Sequence, residues 1–190
     1  MPAKRHFLAA ATLALGLSAV TADAAGPFTL QSKTFQDGHV MPKKVANSQA
    51  NMSTNPNCVG DNVSPELSWS NVPDGTKSLA FLMFDPEGRA PGGVSHWVAY
   101  GIPATVTGFA EGETSAQTNK YVGGKSTMGL AHYFGPCTPA GAPHHYTFTL
   151  IATDLEPTAL QGGMTRDELM KALDGHAKGA TGIIGTFSKP

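Results

Sequence analysis

Several polar residues that could bind a ligand or take part in catalysis lie at the ends of apolar segments. They are Asp85, Glu87, His96, His144, His145 and Tyr146. Histidine rings, a tyrosine hydroxyl and the backbone N–H groups of a Gly/Pro-rich loop can together bind a small anion. Neighbouring carboxylates should raise the pKa values of the histidines and favour their charged forms. These residue types predict a pocket for phosphate or a phosphorylated group.

Two other kinds of site could use the same residues. His96 and His144, with one or both of Asp85 and Glu87, offer ligand types that suit zinc or non-haem iron. Their spacing matches no compact metal-binding motif, so we expect no metal and no other cofactor. A serine with a histidine and an aspartate of this cluster could support hydrolysis. The chain contains no Gly-x-Ser-x-Gly motif, and we expect no catalytic residue.

The two carboxylates and His96 belong to a predicted pair of strands. Residues 79–84 are consecutive apolar residues, which indicates a strand buried on both faces. Pro86 ends this strand, because proline cannot donate a hydrogen bond to the ladder. A turn over residues 88–93 leads to a second strand that begins at His96. The strand pair therefore brings the carboxylates and this histidine together at one end of a sheet.

A third predicted strand carries the remaining histidines. Residues 146–153 alternate between mostly apolar side chains and threonines, which predicts a strand. The segment that leads into it, residues 132–145, is rich in proline and glycine. Because side chains alternate across a strand, we expect His144 and Tyr146 on one face and leave His145 outside the site.

The region near the C-terminus contains a predicted helix. Thr165 and Glu168 have the spacing of a capping box, which marks the beginning of a helix. The helix should run for about three turns, with Leu169, Leu173 and His176 on one side.

The overall composition favours a loop-rich β protein. Charged residues are only 14% of the chain, whereas Gly (22) and Pro (14) are abundant, which is unusual for a helical bundle. Residues 108–125 are predicted to form a long surface loop, and residues 180–187 a short strand interrupted by glycine. The net charge of −1 provides no basic excess to neutralise phosphates of a nucleic acid, so nucleic acid is excluded as a partner.

The first 24 residues have the pattern of a secretory signal peptide. A basic start at Lys4 and Arg5 is followed by an apolar stretch over residues 7–20 and by small residues ending at Ala24. We therefore expect cleavage of residues 1–24 and a single mature domain over residues 25–190. The mature protein should be periplasmic or secreted, with no stable membrane insertion after cleavage.

The two cysteines, Cys58 and Cys137, are predicted to form one disulfide. An even pair in an exported protein is oxidised in most cases, because the compartment outside the cytoplasm favours the bond.

Short motifs along the chain occur in an order that resembles one known family. The motifs are Asn62-Val63-Ser64-Pro65 with Leu67-Ser68-Trp69, Asp85-Pro86-Glu87, His96-Trp97, the Gly/Pro-rich residues 135–141, His144-His145-Tyr146 and Gly185-Thr186-Phe187. Together they resemble the phosphatidylethanolamine-binding protein family, in its bacterial branch of Raf-kinase-inhibitor-like proteins. The resemblance covers the chain from Phe28 to Phe187.

The resemblance implies a mainly β fold, with antiparallel sheets in a sandwich-like arrangement and a few peripheral helices. It also implies a pocket for a small anion such as phosphate or a phosphorylated head group. By position, the ligand-binding residues would be Asp85, Glu87, His96, Gly135, Pro136, His144 and Tyr146.

Two departures from the family pattern concern this pocket. Many members have Asp-Pro-Asp where this chain has Glu87 as the second carboxylate, which changes the reach of the group by one methylene. Many also have His-Arg-Tyr where this chain has His145 in the middle, which removes a fixed positive charge near the rim.

The residues and the resemblance together predict a non-enzymatic protein that binds phosphate or a phosphorylated head group. The alternative is an inhibitor of an extracytoplasmic protease that acts through surface loops such as residues 108–125. A hydrolase that uses the histidine and aspartate cluster is a more remote alternative.

Overall fold

The computed structural model describes residues 26–48, 50 and 55–190. The predicted signal peptide, residues 1–24, lies outside the described residues. Within the described residues, no helix combines the length and the apolar character that crossing a membrane requires.

The described chain contains eight strands and one short α-helix. In chain order the elements are β1 (Thr29–Gln31), β2 (Leu67–Ser70), β3 (Ser78–Asp85), β4 (Val94–Pro103), β5 (Gly108–Phe109), β6 (Val122–Gly123), β7 (His144–Thr153), α1 (Arg166–Ala172) and β8 (Ala177–Phe187). A three-stranded sheet has the order β1-β2-β5, and a five-stranded sheet has the order β6-β4-β3-β7-β8. The strands pair antiparallel in both sheets, which confirms the predicted fold class.

Strand β3 lies at the centre of the larger sheet and is covered on both faces. Phe81 and Met83 join a core cluster that includes residues of the smaller sheet. Leu82, on the opposite face, packs in a second cluster with Leu169 and Leu173 from the region of α1. The apolar run of residues 79–84 thus forms the doubly buried strand that its composition predicts.

Helix α1 begins at the predicted capping box. The backbone N–H of Glu168 donates to Thr165 Oγ1, and the backbone N–H of Thr165 donates to Glu168 Oε2 at 2.8 Å. Leu169 and Leu173 are buried as expected, but the helix ends at Ala172 and is shorter than predicted. His176 lies beyond the end of the helix and is exposed, and its ring Nδ1 pairs with the carboxylate of Asp154 at 2.8 Å.

Two segments differ from their predicted structure. Residues 108–125 are not one free surface loop, because they contain β5 and β6 and bury Thr114 and Tyr121. Strand β8 is eleven residues long rather than a short interrupted strand, because it pairs along the whole of β7. Its glycines suit close packing, since a Cβ at Gly185 would lie only 2.6 Å from the side chain of Met41.

Cys58 and Cys137 form the predicted disulfide, with a sequence separation of 79 residues. Cys58 is fully buried. The bond joins the segment before β2 to the Gly/Pro-rich segment before β7. It therefore restrains this second segment at Cys137.

Replacing both cysteines by alanine should lower the free energy of unfolding by about 4 kcal/mol, because the bond closes a long loop and restricts the unfolded chain. Urea denaturation of the oxidised protein and of the Cys58→Ala/Cys137→Ala variant measures the difference. A loss below about 1 kcal/mol would contradict the expected entropic contribution.

Candidate functional site

Asp85 is a buried carboxylate at the C-terminal end of β3, with only 3% of its surface exposed. Its Oδ1 accepts hydrogen bonds from the backbone N–H groups of Glu87 and Gly88, each at 2.9 Å. Its Oδ2 lies 2.8 Å from Nδ1 of His144 on the neighbouring strand β7. The same side chain therefore shapes the turn that follows β3 and orients a histidine across the sheet.

His96 lies near the beginning of β4 and is 4% exposed. Its Nδ1 is 2.7 Å from the backbone oxygen of Phe134. Because a carbonyl oxygen can only accept, Nδ1 carries the hydrogen. The ring also stacks on Phe134 and meets the ring of Tyr146 edge to face, with centroids 5.7 and 5.1 Å apart.

Burial determines the charge state of His96. It lowers the pKa of this ring to about 4, even though the hydrogen bond to Phe134 and the charge of Asp85 act in the opposite direction. The expectation that carboxylate neighbours raise the pKa is therefore wrong for His96, because loss of hydration outweighs the attraction of one carboxylate. At neutral pH this histidine is uncharged.

Strand β7 supplies two further side chains to the same site. His144 and Tyr146 face the cavity, while His145 is exposed on the opposite side, as strand alternation predicts. The hydroxyl of Tyr146 lies 2.5 Å from Oγ1 of Thr138. Burial raises the pKa of Tyr146, so its hydroxyl keeps its proton. Asp85 is a second hydrogen-bonding partner of the Tyr146 hydroxyl and also acts to raise its pKa.

These side chains line a cavity of about 240 Å³ that we call the His96 pocket. Its polar lining includes Asp85, Arg89, His96, Thr138, His144 and Tyr146. A cavity of this volume lies below the usual range for drug-sized ligands and suits a small group.

Glu87 does not line the His96 pocket. Its carboxylate instead binds His145, with Oε1 2.9 Å from the ring Nδ1 and Oε2 3.1 Å from the backbone N. Partial burial acts to raise the pKa of Glu87, but the hydrogen bonds from His145 lower it. Glu87 and His145, the two residues at which the chain departs from the family pattern, thus contact each other on the exposed side of the turn.

Gly135 and Pro136 lie behind the wall of the pocket rather than on its surface. The N–H of Gly135 donates to Oδ1 of Asn62 at 2.9 Å, and the oxygen of Pro136 accepts from the backbone N of Asn47 at 2.8 Å. A Cβ at Gly135 would lie 2.1 Å from the oxygen of Val45, which leaves room only for glycine. Their assignment as ligand-binding residues, like that of Glu87, stays a prediction.

The sequence interpretation missed Arg89 and Thr138. Arg89 adopts a left-handed conformation (φ 48°) in the turn between β3 and β4, and it lines the pocket from an exposed position. Its guanidinium supplies a fixed positive charge at the mouth, where the sequence lacks the family's usual arginine next to His144. The sequence signal that could have identified Arg89 is that it is the single basic residue in the loop that connects Asp85 to His96.

Only some of the metal ligands that the sequence suggests lie close enough together to hold a cation. Asp85, Glu87 and His144 each offer one ligand atom, and these atoms lie within 4.8 Å of one another. Among the described residues, His96 is not part of such a group. A metal there would have to replace the hydrogen bonds of Asp85 to His144 and of Glu87 to His145. A metal at this group would therefore compete with hydrogen bonds that its side chains already make.

Comparison with known proteins identifies related chains. Residues 31–188 match the family model described as phosphatidylethanolamine-binding protein. LppC of Mycobacterium tuberculosis, named as a candidate lipoprotein, is 38% identical over 173 residues, which cover 87% of this chain and 75% of LppC.

Two solved structures have the same fold. CT736 of Chlamydia trachomatis is 34% identical, with a TM-score of 0.72, and the match covers 86% of this chain and 98% of CT736. YbcL of Escherichia coli, described as a new member of the mammalian PEBP family, is 26% identical with a TM-score of 0.74 and covers 85% of this chain. The match covers 98% of YbcL.

The lowered pKa of His96 predicts acid sensitivity in a defined range. Above about pH 6.5 the ring is neutral in both folded and unfolded chains and contributes nothing. As the pH falls from 6.5 to about 4, only the unfolded chain takes up the proton, so the free energy of unfolding should fall by about 3 kcal/mol.

Denaturant unfolding of wild type and His96→Asn over this pH range measures the effect. Asn keeps a donor for the Phe134 oxygen but does not titrate, so the variant should lose less stability in this range. His145→Asn is the control at an exposed histidine. Equal losses in wild type and His96→Asn would show that His96 does not cause the acid sensitivity.

Proposed function

Because the chain belongs to the phosphatidylethanolamine-binding protein family, in its bacterial YbcL-type branch, we propose that it is a non-enzymatic binding protein for phosphate or a phosphorylated head group. The ligand occupies the His96 pocket. The observation that carries this proposal is the convergence of two hydroxyls, two histidines and the side chain of Arg89 on one small cavity.

The lining of the pocket supports binding rather than catalysis. Within the part of the chain that the structure describes, no serine or cysteine thiol lines the cavity, since Cys137 is in the disulfide. The two buried hydroxyls, of Thr138 and Tyr146, bind each other, and burial raises the pKa of Tyr146. Nucleophilic catalysis would need a hydroxyl paired with a base, and over the described residues no hydrogen bond joins either hydroxyl to His96 or His144.

We also propose that the protein acts outside the cytoplasm, in the periplasm or after secretion. The disulfide and the similarity to the candidate lipoprotein LppC are consistent with export. The protease-inhibitor alternative stays a prediction, but its proposed loop is held by several contacts. Ser115 accepts from the backbone of Ser64, and Glu113 pairs with Lys120.

Loss of a histidine from the pocket should weaken ligand binding. His96→Ala and His144→Ala should each lower the affinity for phosphoethanolamine about tenfold or more, because each removes a hydrogen-bonding group that lines the pocket. Isothermal titration calorimetry measures the affinities. His145→Ala is a matched control on the same strand and should change the affinity less than about twofold. Unchanged affinity in both pocket variants would reject the proposed site.

Arg89 should contribute through its charge. Arg89→Gln should weaken phosphoethanolamine binding about threefold to tenfold and should reduce the dependence of affinity on salt concentration, because the guanidinium lies at a solvated rim. Arg166→Gln is the control, since this half-buried arginine packs over the ring of Phe84 at 4.6 Å and does not line the pocket. An equal effect of both substitutions on affinity and salt dependence would assign the change to net charge alone.

A further inference from the structure

We propose that the His96 pocket recognises a short neutral alkyl group esterified to the phosphate, as well as the phosphate itself. Its ligands are therefore alkyl phosphate esters, which bind more tightly than inorganic phosphate does. Phospholipid diesters carry such an alkyl group too and belong to this class. This inference rests on the proposed function and specifies the ligand class of the same site.

Much of the pocket lining is apolar. Four side chains, which we call the apolar wall, accompany the polar lining residues: Val94, Met128, Phe134 and Pro139. They come from the beginning of β4 and from the segment between β6 and β7. Apolar surface in a binding site stabilises a complex when the ligand removes it from water, and phosphate oxygens do not provide that gain. The apolar wall therefore favours a ligand that carries a carbon chain.

Two polar groups of the pocket lie directly against members of the apolar wall. The ring of His96 stacks on the ring of Phe134, with centroids 5.7 Å apart. The guanidinium of Arg89 donates from Nη2 to the sulfur of Met128 at 3.5 Å. Polar and apolar contacts are thus available side by side, both at the buried histidine and at the mouth.

A third such pair lies at the ends of β3 and β4. Asp85 and Val94 are partners in the register of these two strands. A Cβ at Gly88 would lie 2.8 Å from Cγ2 of Val94 and 2.9 Å from Oδ2 of Asp85, so both side chains converge on this glycine. A carbon chain that leaves the phosphate near any of the three polar groups therefore meets apolar surface.

The carboxylate in the lining favours a neutral chain over one that ends in an ammonium group. Asp85 is the single acidic residue among the described lining residues. Its Oδ1 accepts from the N–H groups of Glu87 and Gly88, and its Oδ2 contacts Nδ1 of His144. The hydroxyl of Tyr146 is a further partner. Because a carboxylate has about four acceptor sites, an ammonium group would have to displace one of these partners.

A matched pair of ligands isolates the alkyl group. Propyl phosphate and phosphoethanolamine have the same length and differ in a terminal methyl or ammonium group. At pH 8 both phosphate groups are dianions, because the second pKa of a phosphate monoester is about 6, and the amine is charged. Calorimetry with wild-type protein should give propyl phosphate an affinity about threefold or more above that of phosphoethanolamine and about tenfold or more above that of inorganic phosphate.

The same titrations separate failure of this inference from failure of the proposed function. A smaller ratio in either comparison, with inorganic phosphate or phosphoethanolamine still bound, would overturn recognition of the alkyl group and leave the anion pocket intact. Absence of binding by all three ligands would overturn the proposed function and this inference with it.

A diester distinguishes a lipid from a soluble source of the phosphate ester. Methyl propyl phosphate models the phosphodiester linkage of a phospholipid. Tighter binding of this diester than of propyl phosphate would assign the pocket to lipids, and binding of the monoester at least as tightly would assign it to soluble alkyl phosphates. Both results support the alkyl group as the recognised feature.

Substitutions in the apolar wall test the contact itself. Met128→Gln keeps the length of the side chain and an acceptor for Arg89 but introduces a polar amide, and Val94→Thr exchanges a methyl group for a hydroxyl. Each should lower the affinity ratio of propyl phosphate to phosphoethanolamine about twofold or more. Met170→Gln is the matched control and should leave the ratio unchanged, because this methionine of α1 is 41% exposed and does not line the pocket. Unchanged ratios in both wall variants, measured on proteins that unfold cooperatively, would overturn the placement of the alkyl group on this wall.

Discussion

The buried carboxylate of Asp85 is the constraint on which the site depends. An ionised group with 3% exposure is stable only when hydrogen bonds replace its lost hydration. Two of those bonds come from the turn after β3, at Glu87 and Gly88, and one comes from His144 on β7. Satisfying this one side chain therefore fixes the path of the loop that carries Arg89 and the orientation of the histidine at the pocket.

At His96, burial outweighs the proximity of a carboxylate in determining the charge of the ring. His144 contacts Asp85 directly and remains partly accessible at 22% of its side-chain surface. His96 is enclosed, donates to a backbone oxygen and has its pKa lowered to about 4. A pocket that contains two histidines is therefore less positive than its sequence implies, and Arg89 becomes its only permanent cation among the described lining residues.

Sequence patterns predicted those features that depend on local periodicity and failed where distant segments meet. The doubly buried β3, the capping box at Thr165 and the disulfide follow from runs, spacing and cysteine content. The length of β8 and the partner of Glu87 depend on long-range pairing that no local pattern encodes. The same holds for Gly135, because the residues next to it in the sequence do not indicate that its backbone packs closely against Val45.

These long-range contacts also hold one wall of the pocket in place. The segment that follows Phe134 is held by the bond from Gly135 to Asn62 and by the disulfide at Cys137. A wall tied in this way needs little ordering when a ligand arrives, so the cost of binding is small. It also cannot easily move to accommodate a poorly matched ligand. Because the oxygen of Phe134 belongs to this wall, the position of the wall also holds the ring of His96 through its Nδ1.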